Sequence, residues 1–121
     1  MESLNETLLL EMAEVGSFLK YRICVYGKEG NYPHFHFYKD DPKTGGCIRL
    51  DVPEYFVHGS YTEKLNNKDR KKLVKWLMQP HKSFGKYGLT NWRIICIYWD
   101  DNNPNYLFNK EASMPDYTKL K

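Results

Sequence analysis

The chain has 121 residues, which fits one domain, and its 41% hydrophobic content can bury a core without disulfide or metal staples. No stretch is long and apolar enough to span a bilayer, and Leu8–Leu10 lies between Glu6 and Glu11 without a basic leader, so no signal peptide is expected. Three cysteines, an odd number, point to reduced thiols and a cytoplasmic setting; no CxxC pair exists, which argues against a zinc ribbon or finger.

Residues 3–15 read as a helix. Ser3 and Glu6 form a capping box, and Leu4, Leu8, Met12 and Val15 make one apolar stripe that Gly16 would end. Three strands follow. Residues 21–26 set Tyr21, Ile23 and Val25 against Arg22, Cys24 and Tyr26. Residues 33–39 set Phe35 and Phe37 against His34, His36 and Tyr38, and residues 47–52 set Ile48, Leu50 and Val52 against Cys47, Arg49 and Asp51. Such alternation marks half-buried strands. The connections Glu29-Gly30-Asn31 and 41–46 are turn-forming.

Apolar residues must face apolar partners across the strands. That places Ile23 opposite Phe37 and Cys24 opposite His36. With Phe37 opposite Ile48, Pro42-Lys43 forms the second turn, His34 faces Asp51 and His36 faces Arg49. Residues 54–65 read as a short strand or irregular link. A second helix covers 67–79, capped by Asn66 or Asn67, with Leu73, Trp76 and Leu77 on its apolar side. The run 92–99 admits either a strand or, with Thr90 as cap, a helix; helix is the choice. His81 reads as a solvent-facing loop residue, and 109–121 as a loose C-terminal tail after a single domain at 1–108. The expected fold is α+β, an antiparallel three-stranded meander packed on one face by two or three helices.

The main chemical feature is Pro33-His34-Phe35-His36-Phe37. Two imidazoles two positions apart in a strand leave the same face, roughly 7 Å apart along the chain. His34 and His36 are therefore the candidate ligands for zinc or another divalent transition metal. Cys24, Cys47 and Asp51 share the face, and His58 could fold back to it. A second reading makes His34, His36, Asp51 and Arg49 an acid–base set for phosphodiester cleavage, with Arg22 and Arg49 on the phosphate. A third makes the face a base-stacking platform of Tyr26, Tyr38, His34, His36 and Arg49, with Arg22 beside them, or a surface covered by another part of the chain or by a partner.

Charge is uneven. Residues 63–86 hold eight basic against two acidic residues, and Lys68, Arg70, Lys71, Lys72 and Lys75 are candidate contacts for nucleic acid.

The segment YRICVYGKEGNYPHFHF, residues 21–37, resembles the opening of an uncharacterised family of small prokaryotic proteins: a short strand, a Gly-bearing turn and a Pro-His-x-His strand. His34 and His36 match its motif. The resemblance implies no established activity; some members look like parts of toxin–antitoxin or mobile-element loci, which suits a phage or chromosomal regulator in a defence or anti-defence setting. The expected function is thus a small binding module or regulator ahead of an enzyme. It would act on a protein more readily than on nucleic acid, with a histidine-based, metal-dependent phosphodiesterase or nuclease as the alternative.

Overall fold

The computed structural model describes residues 12–29 and 32–121. Four strands, β1 (Met12–Phe18), β2 (Tyr21–Tyr26), β3 (His34–Tyr38) and β4 (Gly46–Arg49), form one antiparallel sheet in chain order. Among the described residues two α-helices follow, α1 (Asn67–Leu77) and α2 (Asn91–Asn102), with single 3-10 turns at Gly85–Tyr87 and Tyr117–Lys119. The fold is α+β, with one strand more than expected. Among the described residues no helix is long and apolar enough to cross a membrane.

The extra strand corrects the N-terminal helix. Residues 12–15 of the expected helix lie in β1, and 3–11 fall outside the described residues. Ala13 pairs with Val25, Gly16 with Ile23 and Phe18 with Tyr21, and a bulge between Glu14 and Gly16 absorbs Val15. A helical stripe and a bulged strand both bury Val15; pairing along the whole of β2 decides for the strand. Gly16 stops no helix. It makes room for Trp76 of α1, whose ring would lie 3.1 Å from a Cβ at that position. Leu19, at φ 51°, turns the chain into β2.

Between β2 and β3 the register is the expected one, with Ile23 opposite Phe37 and Cys24 opposite His36. Between β3 and β4 it is displaced by two residues: His34 faces Arg49, Phe35 faces Ile48, His36 faces Cys47 and Phe37 faces Gly46. An even slip keeps every side chain on its face, so the alternation could not exclude it. Local chemistry selects it. Asp41 Oδ1 accepts the Lys43 N–H and its carbonyl accepts the Thr44 N–H, which builds a longer loop than Pro42-Lys43 alone. Gly46 then leaves space for the Phe37 ring, which would lie 2.5 Å from a Cβ there.

One sheet face carries Ile23, Val25, Phe35, Phe37 and Ile48 into the core, where Leu73 and Leu77 of α1 and Trp92, Ile94, Ile95 and Trp99 of α2 join them. Asn66 caps α1 by accepting the Asp69 N–H, and Thr90 caps α2 by accepting the Arg93 N–H. The segment 109–121 is no loose tail at its end: Tyr117 and Leu120 are fully buried, and Tyr117 donates its hydroxyl to the Arg49 carbonyl. An aromatic ring with a satisfied hydroxyl outweighs the entropy of a free terminus.

Candidate metal centre

All five residues of β3 are buried, so both faces of the strand are covered. The cover over the second face comes from the link 54–61. Tyr55 pairs with Ile48, and Phe56 donates its N–H to the Cys47 carbonyl, extending the sheet edge briefly. The chain then folds back. Phe56 packs on His34 with ring centroids 5.0 Å apart, and Tyr61 packs on His36 at 4.6 Å. This brings His58 over the face that β3 and β4 present. The sheet face is thus closed by its own chain, one of the alternatives that the sequence left open.

His34, His36, Cys47 and His58 converge, each offering one donor atom, and these atoms all lie within 4.8 Å of one another. His34 Nε2 is 3.2 Å from His36 Nε2. Cys47 Sγ is 3.3 Å from His36 Nδ1 and 3.4 Å from His58 Nε2. His34, His36 and Cys47 are at most 1% exposed. The His34 Nδ1–H donates to the Tyr32 carbonyl at 2.7 Å, which leaves the Nε2 lone pair directed at the cluster. Neighbouring rings lock the group: Trp99 lies 5.3 Å from His34, and Tyr26 lies 4.6 Å from His36.

A fifth group stands beside these four. Glu29 Oε1 is 3.1 Å from His36 Nε2, and its other oxygen is 3.8 Å from His34 Nε2. Asn103, 2% exposed, sets the Glu29 loop: its Oδ1 accepts the Glu29 N–H, and its Nδ2 donates to the Tyr26 and Trp99 carbonyls. Glu29 also lines a cavity of about 610 Å³ with Lys28 and residues 102–106.

Burial pushes His34 down to about 4 against the pull of Tyr32, and the neighbouring His36 and His58 rings reinforce the shift. Burial likewise lowers His58. Burial raises the Cys47 thiol, and the Glu29 carboxylate adds to that. Burial alone would raise Glu29 too, but its hydrogen bond to His36 and the three ring charges hold it below the usual carboxylate range. A desolvated set of nitrogen and sulfur donors gains from a dication, which would also reverse the shift on Cys47.

The other sequence-derived residues lie elsewhere. Asp51 does not pair with His34. It takes a two-point hydrogen bond from Arg49, at 2.9 and 2.8 Å, and the Arg49 guanidinium also lies 4.1 Å from the Tyr32 ring. Arg49 stands opposite His34 and not His36 because of the two-residue slip. Tyr38 is 5% exposed, Tyr26 is partly buried, and Arg22 is exposed in an ion pair with Glu14. Lys68, Lys71, Lys72 and Lys75 are exposed on α1, whereas Arg70 donates to the Leu120 carbonyl. His81 does not face solvent: it is 5% exposed, with Nε2 donating to the Val15 carbonyl and Nδ1 accepting from Ser83 and Phe84. Sequence reasoning missed Glu29, whose only signal was a carboxylate beside a glycine turn. Searches against family models, curated proteins and solved structures find no match for this chain.

Proposed function

We propose that the protein binds one divalent transition metal ion, zinc foremost, through His34, His36, Cys47 and His58. The observation that carries this reading is the convergence of four nitrogen and sulfur donors within 4.8 Å. Tetrahedral zinc with its usual bond lengths separates its donors by about 3.3–3.8 Å. With His36 donating through Nε2, it lies 3.2 Å from His34 Nε2 and 3.7 Å from Cys47 Sγ, which is 3.4 Å from His58 Nε2; these spacings lie close to that range, so small side-chain movements would admit the ion. Three imidazoles and a thiolate suit zinc better than the oxygen-seeking magnesium or calcium. The Tyr32 carbonyl behind His34 supplies the outer hydrogen bond that ligating histidines require.

Four protein donors fill a tetrahedral shell, which favours an ion that fixes structure. On this reading the metal clamps the 54–61 cover onto β3 and β4 in a small binding protein. Glu29 favours a second reading. A carboxylate at inter-donor distance, on the wall of a 610 Å³ cavity, suits a water-activating base in metal-dependent hydrolysis.

The test is metal content after purification without chelator. One equivalent of zinc, iron or nickel is expected in the wild type, with loss in His34→Ala/His36→Ala and in Cys47→Ala. Absence of bound metal, together with no thermal stabilisation on adding zinc, overturns the proposal. Hydrolysis of phosphodiesters by the loaded protein, lost in Glu29→Gln with metal retained, would select the second reading.

A further inference from the structure

Apart from the Glu29 cavity, the β1–β2 turn and α1 flank three open hollows of about 500, 320 and 260 Å³. The first and second share Leu19 and Lys72; the second and third share Trp76 and Gln79. They therefore form one groove. Five lysines line it: Lys20 from the turn, Lys68, Lys72 and Lys75 from α1, and Lys82 beyond it. Among the described residues none of the five makes an ion pair. The one carboxylate in the lining, Asp69, accepts the Tyr21 hydroxyl.

The groove is not merely charged. Trp76 is partly exposed and packs on Phe18 at 5.9 Å between centroids, which gives the middle hollow an aromatic wall. Leu19, 54% exposed at the β1–β2 turn, adds an apolar surface to the same hollow. An ordinary solvated helix face needs neither feature.

We propose that this groove binds single-stranded nucleic acid, the lysines neutralising successive phosphates while Trp76 and Leu19 contact base faces. Charge complementarity selects a polyanion, and the apolar wall selects one whose bases are unstacked. A duplex hides its base faces and would meet the lysines alone. The inference is independent of the metal centre.

The test is fluorescence anisotropy of the full-length protein with a labelled oligouridylate of about 20 nucleotides, between about 50 and 200 mM salt. If all five lysines meet phosphates, log affinity against log salt should fall with a slope near −3.5, on the order of −0.7 per contact. Lys72→Ala/Lys75→Ala, at exposed helix positions, should lower that slope by about 1.4. Binding should quench tryptophan fluorescence through Trp76, since Trp92 and Trp99 are 4% and 0% exposed. Trp76→Phe should abolish the quench while the protein stays folded by circular dichroism. Absence of binding at low salt, or a slope unchanged in the double variant, overturns the proposal. So does equal competition by duplex or by polyglutamate, because the groove would then read charge alone.

Discussion

Acid should weaken the metal-free protein before any carboxylate titrates. His34 is fully buried, and its imidazole is pushed from 6.5 to about 4. The folded state thus prefers the neutral ring, while the unfolded chain takes up a proton near its ordinary value. Stability is complete above about pH 6.5, falls as pH drops through that value, and stops falling near pH 4, where the folded ring is protonated too. That preference corresponds to about 3 kcal/mol in all, of which about 2 kcal/mol is lost by pH 5. Glu29 is also lowered and acts in the same direction, but only below the ordinary carboxylate value of 4.5. The window between about pH 6.5 and 5 therefore separates His34 and His58 from Glu29. Urea unfolding of chelator-treated protein across that window measures the loss. His58 is lowered as well and contributes to the wild-type slope, so the comparison with His34→Gln isolates the His34 share. The variant should show a flatter profile by about 2 kcal/mol at pH 5. Parallel profiles would refute the claim that the desolvated ring resists protonation.

Substitutions at three positions and a truncation test the scaffold. Gly46→Ala places a Cβ 2.3 Å from the Glu63 carbonyl oxygen and 2.5 Å from the Phe37 ring, so a cost of about 1–3 kcal/mol is expected; an unchanged melting temperature would contradict the β3–β4 register. Ending the chain after Asp116 removes the buried Tyr117 and Leu120 and should cost at least about 3–5 kcal/mol in urea; an unaltered midpoint would mean that the terminus does not pack. Asn103→Ala removes the side-chain partner of the Glu29 N–H and of the Tyr26 carbonyl, with a loss of about 1–3 kcal/mol expected by thermal unfolding. Thr90→Ala should cost about 1 kcal/mol through the Arg93 N–H, and Thr90→Ser should restore most of it; equal loss in both would argue against capping.

Strands β2, β3 and β4 and the faces they present were legible because alternation reports which side of a sheet a residue joins. Helices α1 and α2 were legible at their caps, Asn66 and Thr90, where one side chain replaces a missing backbone partner. What failed depended on strand pairing and turn chemistry that alternation does not report. Met12 and Val15 fit a helical stripe, and only pairing with β2 makes them a strand. The register of β4 hung on an Asp41 turn and on the space that Gly46 leaves for Phe37. The Arg49–Asp51 pair, in place of His34–Asp51, followed from that slip. Cys47 and His58 could be weighed as neighbours of the histidine pair, since one shares the face by parity and the other follows a Gly-free link of suitable length. Glu29 could not, because a loop residue carries no parity, and its position is set by Asn103, far away in sequence.

The four donors occupy one short stretch of chain, and Cys47 lies eleven positions from both His36 and His58. Loops of that size close at small entropic cost. An ion held there would staple a hairpin and its trailing link through donors that neither helix supplies. The region from β3 to His58 could then organise early, around its own cofactor, and serve as a template on which β2, β1 and the helical layer assemble.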